Sequence, residues 1–199
     1  MKVFFTILGV LIVLFVGAQI YFTSSQDDIE MYPYEVVKEY DAFEVRQYES
    51  SLFTTVKLGT NEYEKASSEG FSVLAGYIFG GNDRNEKIAM TSPVAMSMED
   101  SMTMMFMVPK DLKKESLPTP NNNSIEFQEM PPKTVAAIRF GGWADSDKIA
   151  AHKKLLVEAL EAQGIPHTNE FYVLGYNPPF ELINRRNEVI VVLSDGYKP

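Results

Sequence analysis

The 199-residue chain contains no cysteine, so any chemistry it performs rests on oxygen, nitrogen and thioether groups. Disulfides, thiolate nucleophiles and cysteine-ligated zinc or iron–sulfur sites are excluded. Two histidines are the first candidates for metal ligation. His152 falls in the apolar arc of a predicted helix with Ile149, Leu156, Ala159 and Leu160, which favours a hydrogen-bonded core residue over a ligand. His167 follows Pro166 in a predicted loop. Seven of the ten methionines lie between Met90 and Met107. If Glu99, Asp100 and Ser101 form a three-residue hairpin loop, Met98 opposes Met102 and Met96 opposes Met104. Four thioethers then share one face. Methionine fills irregular cores, and that reading is preferred; a soft-metal site is the sharper alternative.

Other motifs favour structure over catalysis. Arg185 and Arg186 with Glu188 could bind an anion, but a turn-stabilising ion pair is the simpler reading. Gly80-Gly81-Asn82-Asp83 follows a predicted helix instead of preceding one, so it reads as a turn and not a phosphate cradle. No GxSxG elbow, HExxH helix or Walker loop occurs. Asn122-Asn123-Ser124 matches the glycosylation sequon, which matters only in a eukaryotic secretory path. The formal charge of −9 argues against nucleic acid and anionic membranes as general partners.

The elements that must position these residues begin after an address. Lys2 is followed by 24 uncharged residues, Val3 to Gln26, and then by Asp27, Asp28 and Glu30. Residues 1–26 therefore read as a signal peptide or an N-terminal membrane anchor, and residues 27–199 as an exported body. Within that body, strands are predicted at Tyr34–Glu39, Phe43–Tyr48, Leu52–Leu58, Ala89–Met98, Met102–Val108, Ile125–Met130, Thr134–Phe140, Glu170–Tyr176 and Glu188–Leu193. Helices are predicted at about 61–79 and 146–163, the first with Asn61 and Glu64 as a capping pair. An offset of about 82 residues superposes the order of elements on itself. The chain reads as one domain of two β-α-β-β pseudo-repeats whose strands join into a closed or nearly closed sheet.

On a helical wheel, Tyr63, Ala66, Gly70, Leu74 and Tyr77 face the core. A second strip, Phe71, Ala75 and Ile78, is apolar too; it either packs under a loop or walls an apolar cleft. Gly70 suits close approach to the sheet, and Gly76 leaves room beside the cleft.

Lys87-Ile88-Ala89-Met90-Thr91-Ser92-Pro93-Val94 resembles the KIxMTxPV segment of the SOUL haem-binding family. Gly175 to Phe180 followed by Arg185 to Val189 resembles that family's YNPPF…RRNEV signature, and the resemblance runs over most of residues 33–195. It implies an α+β fold, a distorted antiparallel β-barrel with two flanking helices. It also implies binding of haem or a related tetrapyrrole as carrier, buffer or sensor, without catalysis. The alternative is a protein-interaction or effector-binding module that has lost haem binding, and a weaker third class is a hydrolase. In the family, haem is thought to lie against the first helix, where the matching positions are Ser68, Phe71, Leu74, Ala75, Gly76 and Ile78. Ser68, Gly76 and Glu181 stand where better-known members carry basic residues, leaving Lys65 or Arg185-Arg186 as substitutes. No invariant histidine ligand is implied.

Overall fold

Thr103–Met107 and Val189–Leu193 are apolar at nearly every position, which fits strands covered on both faces. Both are strands in the computed structural model, which describes residues 4–11, 14, 17, 29–98, 101–178, 181 and 184–197. In chain order the elements are β1 (Tyr34–Glu39), β2 (Glu44–Tyr48), β3 (Ser51–Lys57), α1 (Tyr63–Ile78), β4 (Val94–Ser97), β5 (Thr103–Met107), β6 (Ile125–Met130), β7 (Lys133–Gly141), α2 (Ser146–Ala162), β8 (His167–Gly175) and β9 (Arg186–Leu193). The strands form one antiparallel sheet in the order β1-β2-β7-β9-β8-β4-β5-β3-β6. It curls into a half-barrel whose free edges are β1 and β6. Charged Glu35, Lys38 and Glu39 on β1 discourage further strand pairing at that edge.

The expected duplication is visible in the pairing. β3, α1, β4 and β5 repeat as β7, α2, β8 and β9. The strand preceding each unit pairs with the other unit: β2 lies on β7, and β6 lies on β3. This reciprocal exchange, with the central β4–β8 ladder, makes the halves one domain.

Alternating side chains divide the core. On β5, Met104 and Phe106 pack under α1, whereas Met105 and Met107 face the concave side with Tyr48, Phe53, Leu174 and Ile190. Under α2, Ile149, Leu156 and Leu160 meet Ile138, Val189 and Val191. Outside this body, residues 4–11 are helical, with Phe4, Phe5, Ile7, Val10 and Leu11 exposed. Among the described residues no helix is long and apolar enough to cross a membrane; most of the N-terminal run from residue 12 lies outside them, as do residues 99 and 100 of the expected hairpin loop.

Two local expectations are corrected. The strand expected over Ala89–Met98 is confined to Val94–Ser97. Pro93 offers no ladder donor, and Ser92 is engaged by the N-terminal arm, donating to the Glu30 carbonyl and accepting from Tyr32 N–H. Asn61 and Glu64 do not cap α1, which starts after Glu62 without a side-chain cap. The Glu64 carboxylate accepts instead from Ser146 N–H at 2.8 Å and Ser146 Oγ at 2.7 Å, satisfying a free donor at the start of α2. These bonds hold its pKa below the ordinary value.

The two glycines of α1 play opposite parts. A Cβ on Gly70 would lie 2.9 Å from Met104 Cβ and 3.0 Å from Leu58 Cδ1, whereas one on Gly76 meets nothing within 4 Å. Gly76→Ala should therefore raise stability by about 0.5–1 kcal/mol through helix propensity. Gly70→Ala should lower it, because overpacking costs about 1–3 kcal/mol and outweighs the same gain. Urea denaturation of both variants checks the opposite signs.

Candidate functional site

α1 seats on β3 and β5, and α2 on β7 and β9. The helix-side faces of the central strands β4 and β8 are left between them. Above this seam lies a cleft of about 1040 Å³, at the upper end of the ~300–1,000 Å³ usual for small-molecule sites. Its floor is Val94, Met96, Met104, Val173 and Gly175. One wall is the face of α1 that carries Tyr63, Ser67, Ser68, Phe71, Ser72, Ala75 and Gly76, continued by Phe79. The opposite wall is Trp143, Ala144, Tyr176, Asn177, Pro178 and Arg185. Ile29, Glu64, Met90 to Ser92 and Asn187 complete the lining. Both motif segments, around Met90 and around Tyr176, thus meet at one site because their strands pair at the sheet's centre.

Of the six residues expected on the helix, Ser68, Phe71, Ala75 and Gly76 border the cleft. Leu74 and Ile78 do not. Leu74 is fully buried on the sheet side of α1, where the wheel's core stripe places it. Ile78 is buried under the returning chain: Ile88 packs beside it and donates its N–H to the Ile78 carbonyl at 2.8 Å. Trp143 and Arg185 escape the helical wheel because loops have no periodicity, although Arg185 stood in a recognised motif.

The methionine register holds for Met96 opposite Met104. Both are nearly fully buried beside the cleft floor, Met102 joins the core under α1, and half-buried Met98 packs toward the core under α2. The cluster is core filling, with Met90, Met96 and Met104 bordering the cleft. Among the described residues no group of three His, Asp or Glu could hold a metal ion. His152 is half-buried; its ring stacks on Phe140 at 4.4 Å and its Nδ1–H donates to the Lys148 carbonyl at 2.7 Å. His167 starts β8 and donates to the Thr168 carbonyl. Neither borders the cleft.

Of the basic substitutes, only Arg185 borders the cleft. Its guanidinium lies 4.0 Å from the centre of the Trp143 ring. Nη1 donates to the carbonyls of Pro178 and Glu181, and Nη2 to that of Asn177. Nε is buried without a hydrogen-bond partner among the described residues. Lys65 is exposed on α1 away from the cleft. Glu181 is buried and accepts from Asn177 Nδ2.

Arg186 turns away to the concave side and fulfils the ion-pair reading. Glu188, fully buried, accepts from Arg46 Nη1 at 2.6 Å and Nη2 at 3.0 Å, from Arg186 Nε at 2.9 Å and Nη2 at 2.7 Å, and from Tyr176 Oη at 2.8 Å. Burial alone would raise the Glu188 pKa, but the bonds and charges of Arg46 and Arg186 outweigh it and hold the carboxyl below its ordinary value. Asn177 Oδ1 accepts from Arg186 N–H at 2.6 Å. The cluster thus locks Tyr176 and Asn177, which form the cleft wall.

The family profile described as SOUL heme-binding protein matches residues 29–192. The chain is 30% identical to heme-binding protein 1 of Mus musculus over 179 residues, covering 82% of this chain and 93% of that protein. It is 26% identical to heme-binding protein 2 of Homo sapiens over 160 residues, covering 76% and 78% respectively. In fold it is similar to the EcmrR C-terminal domain, with a TM-score of 0.59 at 13% identity, covering 81% of this chain and 98% of that one. It is also similar to a Listeria innocua hydrolase, with a TM-score of 0.53 at 10% identity, covering 78% and 94%.

Glu188→Gln should lower stability by about 3–5 kcal/mol at pH 7, because buried Arg46 and half-buried Arg186 lose the one buried carboxylate they share, leaving Arg46 only the more exposed Glu44. A depressed folded-state pKa stabilises above the unfolded value of 4.5 and ceases to do so as pH falls through the folded value. The gap between wild type and variant should therefore narrow on acidification below 4.5. Denaturation at pH 7 and pH 3.5 checks both signs.

Proposed function

The chain belongs to the SOUL heme-binding protein family, and from that premise we propose that the interhelical cleft binds haem or a related tetrapyrrole. The observation that carries this is a cleft of about 1040 Å³ with an apolar floor, bordered by both motif segments. The residues present suit the group. Phe71, Ala75 and Gly76 offer a flat wall, Met90, Met96 and Met104 an apolar floor, and Arg185 one cation for a carboxylate. Bound haem would supply iron chemistry; the chain itself supplies burial, orientation and exclusion of water. With no histidine on the cleft, apolar burial carries the affinity.

The role is that of a non-catalytic carrier, buffer or sensor. Glu64 is the carboxylate on the cleft, and its bonds to Ser146 lower its pKa, the wrong direction for a general acid. Residues 1–26 act as signal peptide or membrane anchor and place the domain on the outer side of the cell membrane. The uncharged run of sequence and the exposed apolar side chains of residues 4–11 support this. One observation favours a second reading. Both terminal nitrogens of Arg185 already serve loop carbonyls, which suits an effector without carboxylates.

Haemin titration monitored at the Soret band tests the proposal. Wild-type protein should bind in the micromolar range, about 8 kcal/mol. Gly76→Phe should fill open space and weaken binding about tenfold or more, about 1.4 kcal/mol. His152→Ala should leave affinity unchanged. Full affinity in Gly76→Phe refutes the cleft; a lost Soret shift in folded His152→Ala refutes binding without histidine.

A further inference from the structure

The N-terminal run enters the domain at the cleft. Ile29 borders it, and the next residues are pinned to the segment that lines it. Ser92 N–H donates to the Glu30 carbonyl at 2.9 Å, and Tyr32 N–H to the Ser92 carbonyl at 2.8 Å. The Glu30 carboxylate accepts from Lys110 N–H at 3.0 Å. Between Phe22, the last large apolar residue of the run, and Ile29 stand the six residues Thr23 to Asp28. Fully extended, these reach about 20 Å at ~3.3–3.6 Å each. A domain of this size has a radius of gyration of about 15 Å, hence a diameter of about 40 Å. A tether of half that width keeps the attachment side close to whatever holds the run.

The rim carries matching chemistry. Phe79 is 61% exposed and Trp143 50% exposed, and both border the cleft. Tryptophan concentrates at the headgroup level of bilayers, and phenylalanine is among the apolar side chains that interfacial surfaces bury just beneath it. Electrostatic attraction is not the driving force, because Asp27, Asp28 and Glu30 are acidic and the chain carries −9. A short tether compensates, since it holds the rim at an effective concentration on the order of millimolar.

We propose that the mouth of the cleft rests against a lipid bilayer, with Trp143 at the headgroup level and Phe79 just beneath it. An amphipathic ligand then passes between membrane and cleft without crossing bulk water. This rests on the anchor reading of residues 1–26 and is independent of which ligand the cleft takes.

Trp143 is the chain's single tryptophan, so its fluorescence reports the rim directly. The full chain, without haem, is reconstituted into phosphatidylcholine vesicles with and without acyl chains brominated near the headgroup, and vesicle flotation is measured alongside. The proposal predicts co-flotation, loss of most Trp143 emission in brominated vesicles, and protection of Trp143 from aqueous iodide. Floating protein whose Trp143 stays bright and open to iodide overturns the orientation and leaves the anchor standing. Protein that does not float overturns the anchor and the orientation together.

Discussion

A helix about 10 Å across covers about two strands spaced ~4.8 Å apart. The rest of the molecule follows from that mismatch. Each half of the sheet sets four strands side by side, β6-β3-β5-β4 and β8-β9-β7-β2, and supplies one helix. α1 takes β3 and β5; α2 takes β7 and β9. The central strands β4 and β8 have no helix of their own, so their apolar outer faces become the floor of a groove walled by the two helices. The cleft is what remains when two helices cover a sheet too wide for them.

Holding that groove open requires rigid walls, and different interactions secure each. α1 is drawn onto the sheet where Gly70 lets Met104 and Leu58 approach, which fixes the wall that carries Phe71 and Ala75. The facing wall is a loop, and loops lack a packing face of their own. Here a buried carboxylate substitutes: Glu188 of β9 binds Arg46 of β2, its own neighbour Arg186 and the hydroxyl of Tyr176, so β2, β9 and the cleft loop share one charge cluster. Glu64 of α1 in turn bonds Ser146 of α2, fixing the helices to one another at one end of the cleft.

Sequence legibility tracked periodicity. The strands of β5 and β9 and both helices repeat their apolar residues at strand or helix spacing, and the structure has them within two residues of expectation. Phe71, Ala75 and Gly76 were readable because an extra apolar strip and an unneeded glycine are anomalies on a wheel. Leu74 was ambiguous only because the resemblance and the wheel gave it different roles; the wheel's core stripe prevails. For Ile78 the packing-under-a-loop alternative holds and the site position implied by the resemblance does not, because its cover, Ile88, comes from a segment without regular structure. The same reason hid Trp143. Glu64 was misassigned because a capping pattern is local, whereas its partner Ser146 lies 82 residues away.

The central claim is that the helix side of the β4–β8 seam, and not the concave side of the sheet, receives the ligand. Methionine methyl groups sample both sides: Met90, Met96 and Met104 border the cleft, and Met105 and Met107 face the concave core. Haemin iron is paramagnetic and broadens nearby methyl resonances. In protein labelled at the methionine methyls, haemin should broaden Met90, Met96 and Met104 and spare Met105 and Met107. Broadening of Met105 and Met107 with the other three unaffected would contradict the account.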